Sequence, residues 1–361
     1  LVGEMTVAEN IFLGCEPRRW GGLVDWPRMF REAAALLERF KVALDPMARV
    51  DSLGVGQKQL VEIVKALAKD SKILILDEPT AALAEHEVRI LLDILRELKA
   101  RGMACIYISH KLEEVFAIAD RVTVLRDGMS ISTRAVAETS RGRVIQEMVG
   151  REIGDLFPRR QGMCGGTVLR VEDLCVADEL GAVRLEGIGF ELRAGEVLGI
   201  GGLMGAGRTE LLMHLYGAWG RRMRGRVELG GRSVVGMTPA QALRAGLALV
   251  SEDRRRYGLV IEEEIGFNMS LSALPQLTRA GFVSRGREAR RNLEFYESLR
   301  VKATGLEAVV GRLSGGNQQK VVLGKALMTE PQVVMLDEPT RGIDVGAKLE
   351  IYELINRLTA E

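Results

Sequence analysis

Apolar residues along this chain follow two rhythms that alternate. Ile90, Leu91, Ile94, Leu95 and Leu98 recur at three- and four-residue spacing, which predicts an amphipathic helix. Flanking it are short continuous apolar runs, ILILD (73–77) before and MACIYIS (Met103–Ser109) after, which read as buried strands. RVTVLRDG (Arg121–Gly128) reads as a further strand ending in an Asp-Gly turn. Beyond a glycine-containing stretch with Pro158, Arg159 and Arg160, the runs VLRVEDL, VRLEGIGFEL and GEVLGIGG read as strands again. The last of these, Glu196–Gly201, leads into a glycine loop and then the helical stretch ELLMHLYG (Glu210–Gly217). Strands and helices in alternation predict an α/β fold with a mostly parallel sheet.

The pattern also repeats. LGVGQKQLVEIVKAL (Leu53–Leu67) precedes ILILDEPT (Ile73–Thr80), and LSGGNQQKVVLGKAL (Leu313–Leu327) precedes VVMLDEPT (Val333–Thr340). Corresponding positions are offset by 260 (313 − 53 and 337 − 77), a spacing that implies two related domains in tandem. The expected boundaries are a first domain over 1–150, a linker over 151–166 and a second domain over 167–361.

Composition narrows the functional classes. The 361 residues include 47% hydrophobic ones, enough for substantial cores, and the formal net charge is +1. Arginine clusters at Arg221-Arg222, Arg254–Arg256 and Arg285–Arg291 are offset by acidic neighbours, so no nucleic-acid partner is expected. Cys15, Cys105, Cys164 and Cys175 are scattered without CxxC spacing, which predicts a reducing compartment and no structural disulfide. The sequence has neither a membrane-spanning apolar run nor a signal peptide, and a soluble, cytoplasmic protein is expected.

Three motifs carry candidate chemistry. GLMGAGRT, comprising Gly202, Leu203, Met204, Gly205, Ala206, Gly207, Arg208 and Thr209, fits G-x-x-x-x-G-[KR]-[ST] between a predicted strand and a helix. Glycines let successive backbone amides fold around phosphate oxygens, the helix start adds positive potential, and Thr209 is the expected Mg²⁺ hydroxyl. Arg208 stands where lysine is usual and keeps the charge in a planar, bulkier form. Each DEPT offers an aspartate (Asp77, Asp337) for the Mg²⁺ shell and a glutamate (Glu78, Glu338) to polarise an attacking water. His110, at the end of the predicted strand YIS, is placed to orient that water or to touch the terminal phosphate. LSGGNQQK supplies a serine hydroxyl and two glycine amides at a helix start, which suits a phosphate bound away from the glycine loop.

With GLMGAGRTELL, SEDRRRYGLV (Ser251–Val260), NMSL (Asn268–Leu271), LSGGNQQK and LDEPTRGIDVGAK (Leu336–Lys348), the chain resembles the ATP-binding cassette proteins. Within them it is most similar to the double-cassette ATPase subunits of monosaccharide importers of the ribose, xylose and galactose type. The resemblance covers essentially the whole chain. It implies a P-loop NTPase fold of the ABC type in each domain, with a mostly parallel sheet, a β-rich edge and a helical subdomain. It also implies ATP and Mg²⁺ as ligands, and integral-membrane permease partners served by a secreted or periplasmic sugar-binding protein. The implied location is peripheral, on the cytoplasmic face of the inner membrane. Importers of nucleosides or other small solutes are an alternative. So are soluble twin-cassette proteins acting on ribosomes or DNA, although the linker lacks the long charged helical insertion those would be expected to carry.

In such cassettes ATP lies between one domain's phosphate loop and the other's signature. One site would then use Glu78, His110 and Ser314, Gly315, Gly316, Asn317 and Gln318. The other would use Gly202–Thr209, Asp337, Glu338, Glu252 and the first signature, Leu53, Gly54, Gly56 and Gln57. Gly54 replaces the signature serine, Arg208 the lysine and Glu252 an expected glutamine, and all three fall in the second site. Ala84 stands where the second domain has Asp344 (84 + 260). The resemblance thus implies one hydrolytic site and one degenerate, mainly nucleotide-binding site. By the same offset, Thr209's counterpart falls before Leu1 and His110's counterpart beyond Glu361. The expectation is a first cassette without its phosphate loop and a second without its last strand region. On its own the chain is then expected to bind nucleotide weakly and turn over little. No adenine-stacking aromatic is identifiable in the second domain.

Overall fold

The computed structural model describes residues 1–361 except 70, 81–82, 84, 127, 151–163, 204, 235, 344 and 361. Met204, Ala84, Asp344 and most of the expected linker lie outside the described residues. The chain divides into two compact units, Leu1–Ile153 and Gly154–Glu361.

In the first unit, α1 (Val7–Phe12), α2 (Trp26–Arg39) and α3 (Val55–Leu67) lead to β1 (Ile73–Asp77). Then come α4 (Glu85–Ala100), β2 (Ala104–Ile108), α5 (Leu112–Ile118), the strands β3 (Arg121–Arg126) and β4 (Met129–Ala135), and α6 (Arg141–Val149). β1 and β2 pair in parallel, from Ile73↔Ala104 to Asp77↔Ile108, which requires the crossover that α4 supplies. Leu91, Ile94, Leu95 and Leu98 of α4 are buried with Leu74 and Leu76 of β1, so the helical apolar stripe sits where its period indicates. β3 and β4 form an antiparallel hairpin with Gly128 in its turn at φ 78.

The second unit opens with an antiparallel sheet in the order β6–β5–β7–β8: β5 (Thr167–Ala177), β6 (Val183–Arg193), β7 (Arg221–Leu229) and β8 (Arg232–Ser233). This sheet is the β-rich part of the unit. Helix α7 (Arg208–Leu215) follows the glycine loop and buries Leu211 and Leu215 against it. α8 (Pro239–Arg244) precedes β9 (Leu247–Val250). A helical region follows: α9 (Ile265–Ser270), α10 (Leu274–Leu277), the short hairpin β10 (Thr278–Arg279) and β11 (Phe282–Val283), α11 (Arg285–Ser298) and α12 (Gly315–Leu327). β12 (Val333–Leu336) pairs in parallel with β9, and α13 (Val345–Leu358) closes the unit.

The repeat read from the sequence holds at the level of elements. α3 and α12 begin 260 residues apart (315 − 55), as do β1 and β12 (333 − 73) and α4 and α13 (345 − 85). One expectation needs correcting. Glu196–Gly201 forms no strand; the segment runs without ladder partners, and Val197 is 60% exposed. Gly199 and Gly201 interrupt the apolar run, and glycine in a strand interior removes both packing and backbone restraint.

Candidate nucleotide site

In the first unit, β1 delivers Asp77 and Glu78 to its carboxyl end, where ligands gather in parallel α/β sheets. Glu78 has φ 46, a left-handed conformation that costs a non-glycine residue about 1–3 kcal/mol and turns the chain sharply out of the strand. Its backbone N–H still donates to Ile108 O at 2.9 Å, so the turn stays tied to β2. His110 lies two residues past β2. Its backbone N–H donates to Glu78 Oε1 at 3.1 Å, and its Nδ1 lies 2.7 Å from the same oxygen. Glu78 Oε2 is buried and has no partner. A carboxylate oxygen held in place and left unpaired is suited to accept a proton from a water.

The second unit presents a different arrangement at the matching position. Glu338 also has φ 46, so the two DEPT turns share a backbone shape. Arg208 Nη1, however, donates to Glu338 Oε1 at 2.9 Å, joining the glycine loop to the glutamate. Thr209 Oγ1 donates to Asp337 Oδ2 at 2.8 Å. Gly207 sits at the start of α7 with φ 89, and a Cβ there would come within 2.7 Å of Leu185 Cδ2, so the loop requires glycine at that point. Gly202, Leu203, Gly205 and Ala206 are exposed around the same helix start, open to an anion. Glu252 forms an ion pair with Arg341, whose backbone N–H donates to Glu338 O at 3.0 Å. The structure therefore gathers Arg208, Thr209, Glu252, Asp337 and Glu338 into one cluster.

The two signatures also diverge. In the second unit, Ser314 is the N-cap of α12, and Asn317 Nδ2 donates to Ser314 Oγ at 3.0 Å while Asn317 Oδ1 accepts from Lys302 N at 2.8 Å. The serine hydroxyl keeps its own proton for a phosphate oxygen. Gln318 turns inward and donates to Val310 O at 3.2 Å. Gly315 has no room for a side chain, because a Cβ would meet Arg254 Nη2 and Gly342 O at 2.8 Å each. In the first unit Gly54 caps α3, and its N–H donates to Gln57 Oε1 at 3.1 Å. That donor is already occupied, and no hydroxyl replaces it.

The sequence did not single out Arg254 as part of this site. It donates through Nε to Gln318 Oε1 at 3.3 Å and through Nη1 to Arg341 O at 3.1 Å, joining the second signature to the turn after DEPT. Its place in an arginine run immediately after Glu252 was the available signal.

Thr209 and Asp337 fit Mg²⁺, a hard cation that takes oxygen ligands. Burial is the main cause of Asp337's raised carboxyl pKa, with Glu338 and Glu210 raising it too and Thr209 and Arg208 opposing. A carboxylate so short of positive charge is one a cation would relieve. Asp77 lies at the exposed end of β1. Asp337 yields a prediction with a definite sign. Its folded pKa is raised, so its contribution to stability is present below the ordinary carboxylate range and lost as pH rises through the raised value. Asp337→Asn removes the ionised form, so at neutral pH without ligand the melting temperature should hold or rise, by about 2 °C. The same variant should lose the Mg²⁺ dependence of nucleotide binding. A lower melting temperature without ligand would contradict this account.

With this geometry in place, comparison with known proteins gives a consistent result. The sequence pattern of the ABC transporter family matches residues 1–81 and 185–341. Over its whole length the chain is 51% identical to the xylose import ATP-binding protein of Moorella thermoacetica, covering 72% of that protein. It is 48% identical to the ribose import ATP-binding protein of Chromobacterium violaceum, again over the whole chain and covering 70% of that relative. A structure of ribosome-bound archaeal Pelota and ABCE1 matches 98% of this chain and 55% of its own with a TM-score of 0.65, a likeness of fold at 20% identity. The chain belongs to the ABC transporter family, as a P-loop ATPase that binds ATP. No helix among the described residues is long and apolar enough to cross a membrane, and Cys15, Cys105, Cys164 and Cys175 are all free.

Proposed function

We propose that this chain is the energy-coupling ATPase of a monosaccharide importer, with one hydrolytic site and one site that mainly holds nucleotide. Relatives named for xylose and ribose import, at 44–51% identity, support the monosaccharide. The observation that carries the asymmetry is the partner of each glutamate: Glu78 Oε1 faces His110 with Oε2 buried and unpaired, whereas Glu338 Oε1 is bound by the Arg208 guanidinium. Glu78 is the general base for the attacking water, and His110 orients that water or the terminal phosphate. Ser314 and the amides of Gly315 and Gly316, at the start of α12, are phosphate donors of the second unit.

In the second unit, Gly202–Thr209 cradle the phosphates of a nucleotide that is held more than it is hydrolysed. The Arg208–Glu338 pair is partly exposed, and such pairs contribute only about 0–1 kcal/mol to stability. Thr209 and Asp337 would hold Mg²⁺ there, and Asp77 would do so in the first unit. The ion neutralises phosphate charge when bound. The partners are integral-membrane permease subunits, with a secreted sugar-binding protein beyond them, and the chain works at the cytoplasmic face of the membrane.

Vesicles carrying the intact subunit, its permease and its binding protein should take up labelled xylose or ribose only when supplied with ATP. Uptake of a nucleoside with no uptake of any monosaccharide would refute the assignment.

A further inference from the structure

Glu114 in α5 carries a carboxyl group yet is only 8% exposed, and nothing in the reaction outlined above uses it. Its Oε2 accepts from Thr80 Oγ1 at 2.7 Å and from Tyr107 OH at 2.6 Å. Its Oε1 lies 3.4 Å from Lys111 Nζ, which itself donates to Thr80 O at 3.0 Å. Burial and the hydrogen bond to Glu114 both raise the Tyr107 pKa, so that phenol stays a donor.

These partners bracket the Glu78–His110 pair. Thr80, itself fully buried, lies two residues after Glu78, Lys111 follows His110, and Tyr107 precedes His110 by three. Glu78 sits in a left-handed turn, a conformation that persists only where its surroundings enforce it. We infer that Glu114 is a positioning residue for hydrolysis: it locks the turn carrying Glu78 to the loop carrying His110, so that Glu78 Oε2 stays aimed at the attacking water. This inference rests on the reading of Glu78 as the general base. A buried carboxylate that accepts two hydrogen bonds and pairs with a lysine forms a rigid network, and losing one member loosens the others. Displacing a general base by a fraction of an ångström lowers the chemical step while leaving nucleotide contacts intact.

The test is ATPase kinetics on the intact subunit with Glu114→Gln, Thr80→Val and Tyr107→Phe, each normalised to bound nucleotide so that unfolded protein is not counted. Thr80→Val and Tyr107→Phe each remove one hydroxyl from the network and serve if Glu114→Gln fails to fold. The expected result is a kcat about tenfold lower for Thr80→Val and for Glu114→Gln, with KM for ATP changed by less than about twofold. Wild-type kcat in folded Thr80→Val and Glu114→Gln, or a raised KM at unchanged kcat, would overturn the inference. Glu78→Gln measured alongside separates the two claims. If it abolishes turnover while the network variants do not, only the positioning role fails. If it leaves turnover intact, the reading of Glu78 fails and the positioning role falls with it.

Discussion

Glu78→Gln in the intact subunit is expected to lower ATP turnover about 10²–10⁴-fold, the usual span for loss of a positioned general base. Glutamine keeps the shape of the side chain, and its amide oxygen can still accept from the His110 N–H. What is lost is the basicity of the second oxygen, buried and without a partner in the folded chain. Glu338→Gln is expected to cost about threefold or less, because Glu338 already shares its Oε1 with Arg208. Steady-state hydrolysis by the two variants, with ATP binding measured separately, checks both expectations. Equal losses would remove the distinction between a hydrolytic and a holding site.

The second large effect concerns an asparagine far from the phosphates. Asn268 is completely buried, accepts from Val260 N at 2.8 Å, and donates to Val260 O and Glu264 O at 3.0 Å each. It closes the loop ahead of α9, and that loop carries the strand-like backbone leading to the signature. Val310 N donates to Glu263 O at 3.0 Å and Gly311 N to Ile261 O at 2.9 Å, three and two residues before Leu313 and Ser314 begin the motif. Asn10 does the same in the first unit, with Val2 N and O and Thr6 O, and Val50 N donates there to Met5 O at 3.0 Å. Alanine at Asn268 would leave the Val260 N–H without its partner, while Val260 O and Glu264 O keep the backbone donors Glu263 N and Asn268 N, at about 1–3 kcal/mol. A net loss of about 2 kcal/mol is expected, lowering the melting temperature by roughly 4–8 °C in a unit of this size. Calorimetry of Asn268→Ala and Asn268→Asp checks this; a shift below about 2 °C would mean the loop is held by something else.

The parts of this molecule legible in its sequence are those set by local spacing. The α4 stripe, the apolar runs that became β1 and β2, and the matched distance from signature to DEPT each depend on residues near one another in the chain. The glycine loop ahead of α7 was readable for the same reason, since glycines at fixed offsets before a helix suffice to mark it. Glu196–Gly201 failed as a strand because an apolar run predicts a strand only where a neighbouring strand accepts its hydrogen bonds. Glu114 escaped notice and Arg254 was read only as part of an arginine run, because their partners lie 34 and 64 residues away, at Thr80 and Gln318, and only the fold brings them together. Asn10 and Asn268 are a different case. They are 258 residues apart (268 − 10) rather than 260, so a two-residue slip ahead of the signatures hid a repeated side chain. The salt link from Arg208 to Glu338 was likewise invisible, although the arginine itself stood out.

The division of labour between Glu78 and Glu338 is tested most directly by identifying the nucleotide left on each half of the intact subunit after one round of hydrolysis. Labelling with a photoreactive, α-labelled ATP, followed by proteolytic separation of the halves, reports the phosphate state at each. Triphosphate retained on the peptide carrying Gly202–Thr209, with diphosphate on the other half, is the predicted result. Diphosphate in equal amount on both halves would contradict it.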